Sequence, residues 1–202
     1  MAKPNWLNVS PASGSGNGTV SNSATAHTGR VARTGTVTVT GSGVTTPATY
    51  KVTQEPKAEF ASFNNGAEMA APKGGGTLTI EGKSNSSKLT FAFVGDSHEV
   101  DIPAQYQANG TSTDNAAMIE GDPGASSEFS FSLELSIPEN ETVEEMERVL
   151  KVTANGGQSV QITIKQAAGD ATLSVTPTKI TIPQDGTAVS VNVTSNTSWT
   201  VS

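Results

Sequence analysis

The sequence contains no cysteine, so disulfides and thiolate metal sites are both excluded. Charged residues make up only 15% of the 202 residues, and 12 Lys and Arg stand against 19 Asp and Glu. A net charge of −7 without clustered basic residues argues against the phosphate contacts that nucleic-acid binding requires. No apolar run approaches the roughly 20 residues of a membrane-spanning helix. We therefore expect neither nucleic acid nor a membrane among the partners.

Residues typical of strands and tight turns dominate the composition. Thr, Ser, Gly, Asn and Val are abundant, and the chain contains 20 Gly and 10 Pro. β-branched side chains lose rotamer freedom in a helix, and Gly and Pro interrupt helical runs. The composition predicts an all-β protein.

Two predicted hairpins share the same sequence pattern. Thr36–Thr40 alternates apolar and polar residues and precedes a second strand at Tyr50–Gln54. The arrangement returns as Leu150–Thr153, a turn, and Val160–Gln166, with Gln54 and Gln166 in equivalent places 112 residues apart. This spacing is that of a whole domain rather than of a solenoid repeat.

The front half of this domain also occurs twice. The segment from Gly74 through Ser84-Asn85-Ser86 matches the segment from Asp185 through Ser195-Asn196-Thr197. The chain therefore divides into the C-terminal half of a domain at 1–57, a complete domain at 58–168, and an N-terminal half at 169–202. Linkers are predicted at 55–57 and 167–170.

Several elements are predicted inside the central unit. Ser127–Ile137 and Leu89–Val94 are expected strands, and Glu139–Leu150 is interpreted as a loop leading into a strand, with a helix as the alternative. Residues 103–126 are rich in Pro, Asn, Gly and Asp, which predicts a long loop. Short strands with turns between them favour an immunoglobulin-like two-sheet sandwich over an up-and-down barrel.

Both ends of the chain contain segments with a common pattern, namely Trp6–Pro11 with Gly14-Ser15-Gly16, Arg33–Val39, Val52–Pro56, Leu173–Pro177 and Ser195–Val201. These segments resemble the BACON family of immunoglobulin-like domains. The central unit departs from the pattern, because Lys88 stands where Trp199 would align. It is interpreted as an immunoglobulin-like relative of that family.

The resemblance implies two settings for the protein. BACON-type domains occur in Bacteroidales proteins, where carbohydrate or mucin binding was proposed, and in the crAss-like phages that infect these bacteria. The N-terminus shows no apolar segment typical of an export signal. We therefore expect a virion protein assembled in the host cytoplasm, an auxiliary capsid (decoration) or head-fibre component that docks on the major capsid protein. A bacterial surface module that binds carbohydrate is the alternative.

The sequence offers little for catalysis. His27 and His98 are the only histidines, and strand alternation splits the Asp96–Asp101 cluster between two faces. No nucleophile elbow, phosphate loop or paired-histidine motif occurs. We expect no enzymatic activity, no metal and no cofactor.

A few residues are candidates for binding. Trp6 and Trp199 are candidate carbohydrate-stacking residues, although both are more easily explained as core residues of one sandwich made from the two half-domains. Arg30, Arg33 and the Glu139–Glu147 cluster are candidates for capsid contacts, with a solvated face as the simpler interpretation.

Three arrangements would complete the split domain. Residues 171–202 fold back on 5–57 of the same chain, or they pair with 5–57 of a neighbouring chain by strand exchange, or the sequence is part of a longer protein. The sequence leaves these three open.

Overall fold

The computed structural model describes residues 3–95 and 99–202, and the regular structure in these ranges is β-strand throughout. No helix in the described ranges is long and apolar enough to cross a membrane. The strands are β1 (Leu7–Ser10), β2 (Ser21–Ala24), β3 (Arg33–Val39), β4 (Ala48–Gln54), β5 (Ala61–Phe63), β6 (Glu68–Ala71), β7 (Gly76–Ser84), β8 (Leu89–Val94), β9 (Gln105–Ala108), β10 (Thr111–Asp114), β11 (Phe129–Ile137), β12 (Met146–Ala154), β13 (Ser159–Gln166), β14 (Leu173–Thr176) and β15 (Asn192–Ser195).

Strands β5 to β13 form a sandwich of two sheets. One sheet has the order β10-β9-β11-β7-β5 and the other the order β6-β13-β12-β8. The pairs are antiparallel except β13 with β6, which is parallel. This architecture confirms the prediction of an all-β, immunoglobulin-like sandwich, and the loop before β12 confirms the interpretation of Glu139–Leu150.

Strict alternation of side chains fills the sandwich core. Along β11, Phe129, Phe131, Leu133, Leu135 and Ile137 are all buried, and the residues between them are mostly exposed. Because successive side chains of a strand point to opposite faces, this period places one apolar face against the second sheet. The second sheet contributes buried apolar residues in the same way: Leu89, Phe91, Leu150, Val152, Ile162 and Ile164.

The long loop predicted over residues 103–126 is wrong in its first half. β9 and β10 form a hairpin there, and β9 extends the sheet by pairing with β11. The turn is Asn109-Gly110, and both residues have positive φ, at 51° and 77°. Asn-Gly is the preferred sequence for a two-residue hairpin turn of this kind. Tyr106 anchors the hairpin because its ring packs edge-on against Phe91, with centroids 4.9 Å apart.

The first unit, described from residue 3 onward, contains two separate hairpins. β1 pairs with β2, and β3 pairs with β4. The hairpin of β3 and β4 has the predicted position, and Gln54 lies at the end of β4 as Gln166 lies at the end of β13. Leu7 and Val37 are the buried apolar residues of this unit.

The C-terminal residues form one more hairpin, in which β14 pairs with β15. In the described part of the chain no sheet joins this hairpin to β1 through β4. Residues 187–191 contain no assigned strand, although the matching residues of β7 are fully paired. Much of the apolar surface of this C-terminal unit is exposed to solvent.

Candidate functional site

The described residues contain no group of three or more His, Asp or Glu side chains able to hold a metal ion. Asp96, Ser97 and His98 of the cluster considered in the sequence lie outside the described residues. His27 lies in a turn, where Nδ1 accepts a bond from Gly29 N and Nε2 lies 2.8 Å from Val31 O. The residues with a candidate function lie instead at the junctions between units.

The Asn85 side chain forms hydrogen bonds to three segments at one end of the sandwich. Its Oδ1 accepts from Phe60 N at 2.8 Å, and its Nδ2 donates to Ala58 O at 3.1 Å and to Ala125 O at 2.9 Å. The side chain is fully buried. A buried amide whose donors and acceptor are all used holds three segments in a fixed relation.

Asn196 repeats this arrangement in the C-terminal unit. Its Oδ1 accepts from Thr172 N at 2.8 Å, and its Nδ2 donates to Asp170 O and Glu141 O, both at 2.8 Å. The strand register is repeated too, because Leu173 pairs with Ser195 as Ala61 pairs with Ser84. The sequence match at Asn85 and Asn196 is therefore also a match of hydrogen bonds and strand register.

An ion-pair cluster joins the first unit to the sandwich. Arg30 donates to both carboxylate oxygens of Asp122, the Nη2 bond being 2.8 Å, and to Asn85 O at 2.5 Å. Its Nε lies 2.7 Å from Glu59 Oε1, and the Glu59 side chain is 5% exposed. Glu59 Oε2 also accepts from Ser86 Oγ at 2.9 Å and from Gly156 N at 2.8 Å. We call Arg30, Glu59 and Asp122 the junction cluster.

The junction cluster corrects one interpretation drawn from the sequence. Arg30 is not on a solvated face, because it pairs with two carboxylates of the next unit. Arg33 is also engaged, with its guanidinium carbon 4.7 Å from the centre of the Trp6 ring. Sequence patterns missed the cluster because Arg30 and Asp122 are 92 residues apart.

Equivalent backbone hydrogen bonds are present at the two junctions. At the first junction Lys57 N donates to Gly29 O at 2.9 Å, and at the second Gly169 N donates to Thr142 O at 2.6 Å. The turn before each acceptor is also equivalent, because Asn140 Oδ1 accepts from Thr142 N as His27 Nδ1 accepts from Gly29 N. Each linker is thus held against the same turn of the preceding unit.

The second junction has a different charge arrangement. Lys73 Nζ lies 2.5 Å from Asp170 Oδ1, and both side chains are well exposed. Exposed ion pairs contribute little because water screens them and ordering the side chains costs entropy. The first junction is therefore the more strongly fixed of the two.

Acid is expected to weaken the junction cluster. The hydrogen bonds from Arg30 hold the pKa of Asp122 below its usual value. Partial burial raises this pKa, but its effect is smaller than that of the hydrogen bonds. A carboxylate with a lowered pKa stabilises the fold above its unfolded pKa, and this contribution is lost as the pH falls through the folded pKa. Between pH 6 and pH 2.5, the free energy of unfolding should therefore fall less steeply in Asp122→Asn than in the wild type.

Urea titrations at several pH values measure this difference. Asp114→Asn is the control, because Asp114 lies on the exposed edge strand β10 and bonds only the nearby Gln105 amide among the described contacts. Its slope against pH should equal that of the wild type. An unchanged slope in Asp122→Asn contradicts the assigned role of the carboxylate.

The two candidate tryptophans lie in different units. Trp6 is partly buried beneath Arg33, and a Cβ added at Gly35 would lie 3.3 Å from its Cζ2. Trp199 follows β15 and is 50% exposed. None of the aromatic ring pairs in the described residues includes either one. The structure thus does not stack the two rings on each other.

The sheet of β9, β11 and β7 carries a shallow polar depression on its outer face. Its lining is mostly polar and uncharged and lacks an exposed aromatic platform: Asn64, Glu81, Gln107, Gly110, Ser130, Phe131 and Ser132. Such a surface offers hydrogen bonds without a hydrophobic anchor.

These features define a class of protein: immunoglobulin-like β-units in tandem, joined end to end by repeated contacts. A comparison with family models gives a more particular relation. Residues 1–55 match the BACON family, whose description reads "Putative binding domain, N-terminal". The match supports a BACON-type domain at the start of the chain. No curated protein matches the sequence.

Proposed function

We propose that the chain is a non-enzymatic structural protein whose immunoglobulin-like units form a connected row and bind other proteins through their surfaces. The observation that carries the proposal is the repetition of the junction, since Lys57 N to Gly29 O recurs as Gly169 N to Thr142 O. Units joined through the same contacts at each step propagate in one direction, as in other tandem repeats.

The particular role that we propose is that of an auxiliary capsid or head-fibre protein of a phage, docked on the major capsid protein. Small sandwich units with few charges and a mild net negative charge suit a surface that packs against other subunits. Peptide mapping of purified virions, from a phage that encodes the chain, tests the role directly. Recovery of its peptides in intact particles is expected, and their absence would eliminate the virion role.

Carbohydrate binding is the second candidate, supported by the match of residues 1–55 to a binding-domain family. Trp199 and the partly exposed Trp6 offer the aromatic faces on which sugars stack. Retention on a mucin column that falls at least tenfold in Trp6→Ala or Trp199→Ala, and not in Val31→Ala, supports this function. Val31 is a suitable control because it is highly exposed and lies in the same unit as Trp6. Equal elution of the wild type and all three variants excludes carbohydrate binding through these rings.

A further inference from the structure

The C-terminal unit contains an apolar segment that no described strand covers. Val189 and Val191 are 40% and 37% exposed. Their counterparts in the central sandwich, Leu78 and Ile80, are 6% and 1% exposed. The two segments follow equivalent turns, because Gly186 N donates to Pro183 O as Gly75 N donates to Pro72 O. Equivalent apolar positions after the same turn are thus buried in one unit and exposed in the other.

The central sandwich shows which kind of strand covers this segment. β11 pairs with β7, placing Leu135 opposite Leu78 and Leu133 opposite Ile80. Residues 187–191, which correspond to the first part of β7, have no such neighbour among the described strands. A segment without a pairing partner leaves its N–H and C=O groups open to another strand.

The first unit contains the counterpart of β11. Gln166 Nε2 donates to Pro138 O just after β11, and Gln54 Nε2 donates to Thr25 O just after β2. This equivalence aligns Val20, Asn22 and Ala24 with Leu133, Leu135 and Ile137. β2 pairs with β1 on one side, and no described strand pairs with its other side. Val20 is itself well exposed.

The two segments of one chain lie at opposite ends of the sandwich. The first unit contacts Asn85 just after the end of β7, whereas the C-terminal unit contacts Lys73 just before its start. The nine residues of β7 make eight steps of about 3.3 Å each, which separates these points by about 26 Å. Linkers of a few residues, both held by hydrogen bonds, keep the units apart. The first unit of the same chain therefore cannot supply the covering strand, whereas the first unit of a second copy can.

We propose that residues 187–191 of one copy add as a strand to residues 20–24 of another, which completes a sandwich at each joint and builds head-to-tail oligomers. The register follows from β7 and β11: Val191 opposite Val20, Val189 opposite Asn22, and Ser190 opposite Ser21. Strand addition supplies backbone hydrogen bonds, and the exposed valines supply apolar burial. This inference rests on the proposed structural function and specifies the partner as a second copy of the chain.

A disulfide between introduced cysteines tests the register. Ser21→Cys with Ser190→Cys places the two thiols on directly opposite residues, within the Cα spacing that a disulfide requires. The native chain has no cysteine, so every disulfide formed is an introduced one. The control is Ser21→Cys with Ala188→Cys, which lies on the same face but is displaced by two residues.

Under mild oxidation, a non-reducing gel of the full chain should show a ladder of dimers and larger species for the first pair. The control should give at least tenfold less cross-linked product. A monomer band only, a disulfide closed within one chain, or equal ladders for both pairs would each overturn the proposal.

A second measurement tests the same joint without introduced cysteines. Val189→Asp with Val191→Asp should abolish concentration-dependent association in light scattering, whereas Val31→Asp, a substitution at an exposed valine outside the joint, should leave it unchanged. Association that persists in the double variant contradicts the joint. The outcomes separate the two proposals, because a chain found on virions but monomeric in solution retains the structural function and loses the strand exchange.

Discussion

Replacing Gln166 with leucine is expected to destabilise the central sandwich by about 4 kcal/mol. The buried Gln166 amide donates to Pro138 O at 2.8 Å and to Pro72 O at 3.0 Å, so it ties the segment after β11 to the segment after β6. Its Oε1 accepts from Arg148 Nη1 at 3.0 Å, and both side chains are buried. Leucine would remove the donor to Pro138 O and the acceptor of Arg148 Nη1, and it would leave Pro72 O with only its bond from Gly75 N.

Gln54→Leu is the matched control for this substitution. Gln54 ends the equivalent strand of the first unit, with Oε1 accepting from Arg33 Nε at 2.9 Å and Nε2 donating to Thr25 O at 2.7 Å. Its surroundings are more exposed, so water can replace the lost bonds and the expected cost is at most about 1 kcal/mol. Urea denaturation of both variants measures the difference. Equal losses would show that Gln166 has no special role in joining the two sheets.

Replacing Arg30 with methionine is expected to cost about 3 kcal/mol and to free the first unit from the sandwich. The reason is Glu59, whose buried carboxylate would lose the guanidinium that pairs with it. Asp122 would lose its paired donor at the same time. Because Lys57 N is bonded to Gly29 O beside Arg30, trypsin should cleave after Lys57 at least tenfold faster in the variant.

Arg33→Met serves as the control for this second prediction. Arg33 lies over the Trp6 ring and bonds Gln54 and Thr25, all within the first unit. Cleavage after Lys57 should therefore stay close to the wild-type rate in this variant. If Arg30→Met and Arg33→Met are cleaved equally fast, the junction cluster does not hold the two units together.

The strands and the repeat were predictable from local patterns. Alternation alone places β11 and the hairpin of β12 and β13, because a half-buried strand imposes a period of two on its sequence. The match of Asn85 with Asn196 was also visible, since the same short polar motif follows the same run of residues. The Asn109-Gly110 hairpin was missed although its turn signal was present, because the surrounding residues contain few apolar groups.

The site depended on contacts that no local pattern records. Arg30 and Arg33 look alike in the sequence, yet one forms a partly buried ion-pair cluster with Glu59 and Asp122 and the other lies over Trp6. The relation of the two half-domains was likewise open. The length of β7 and the two junction contacts place the halves at opposite ends of the sandwich.

The sequence by itself determined the class of fold, the strand faces and the tandem order of the units, because these follow from side-chain alternation and turn residues over short distances. Only the tertiary structure decided which polar groups are buried together and which apolar segment is left bare. Both outcomes depend on residues far apart in the chain, such as Arg30 and Asp122, whose approach is fixed by the packing of whole sheets.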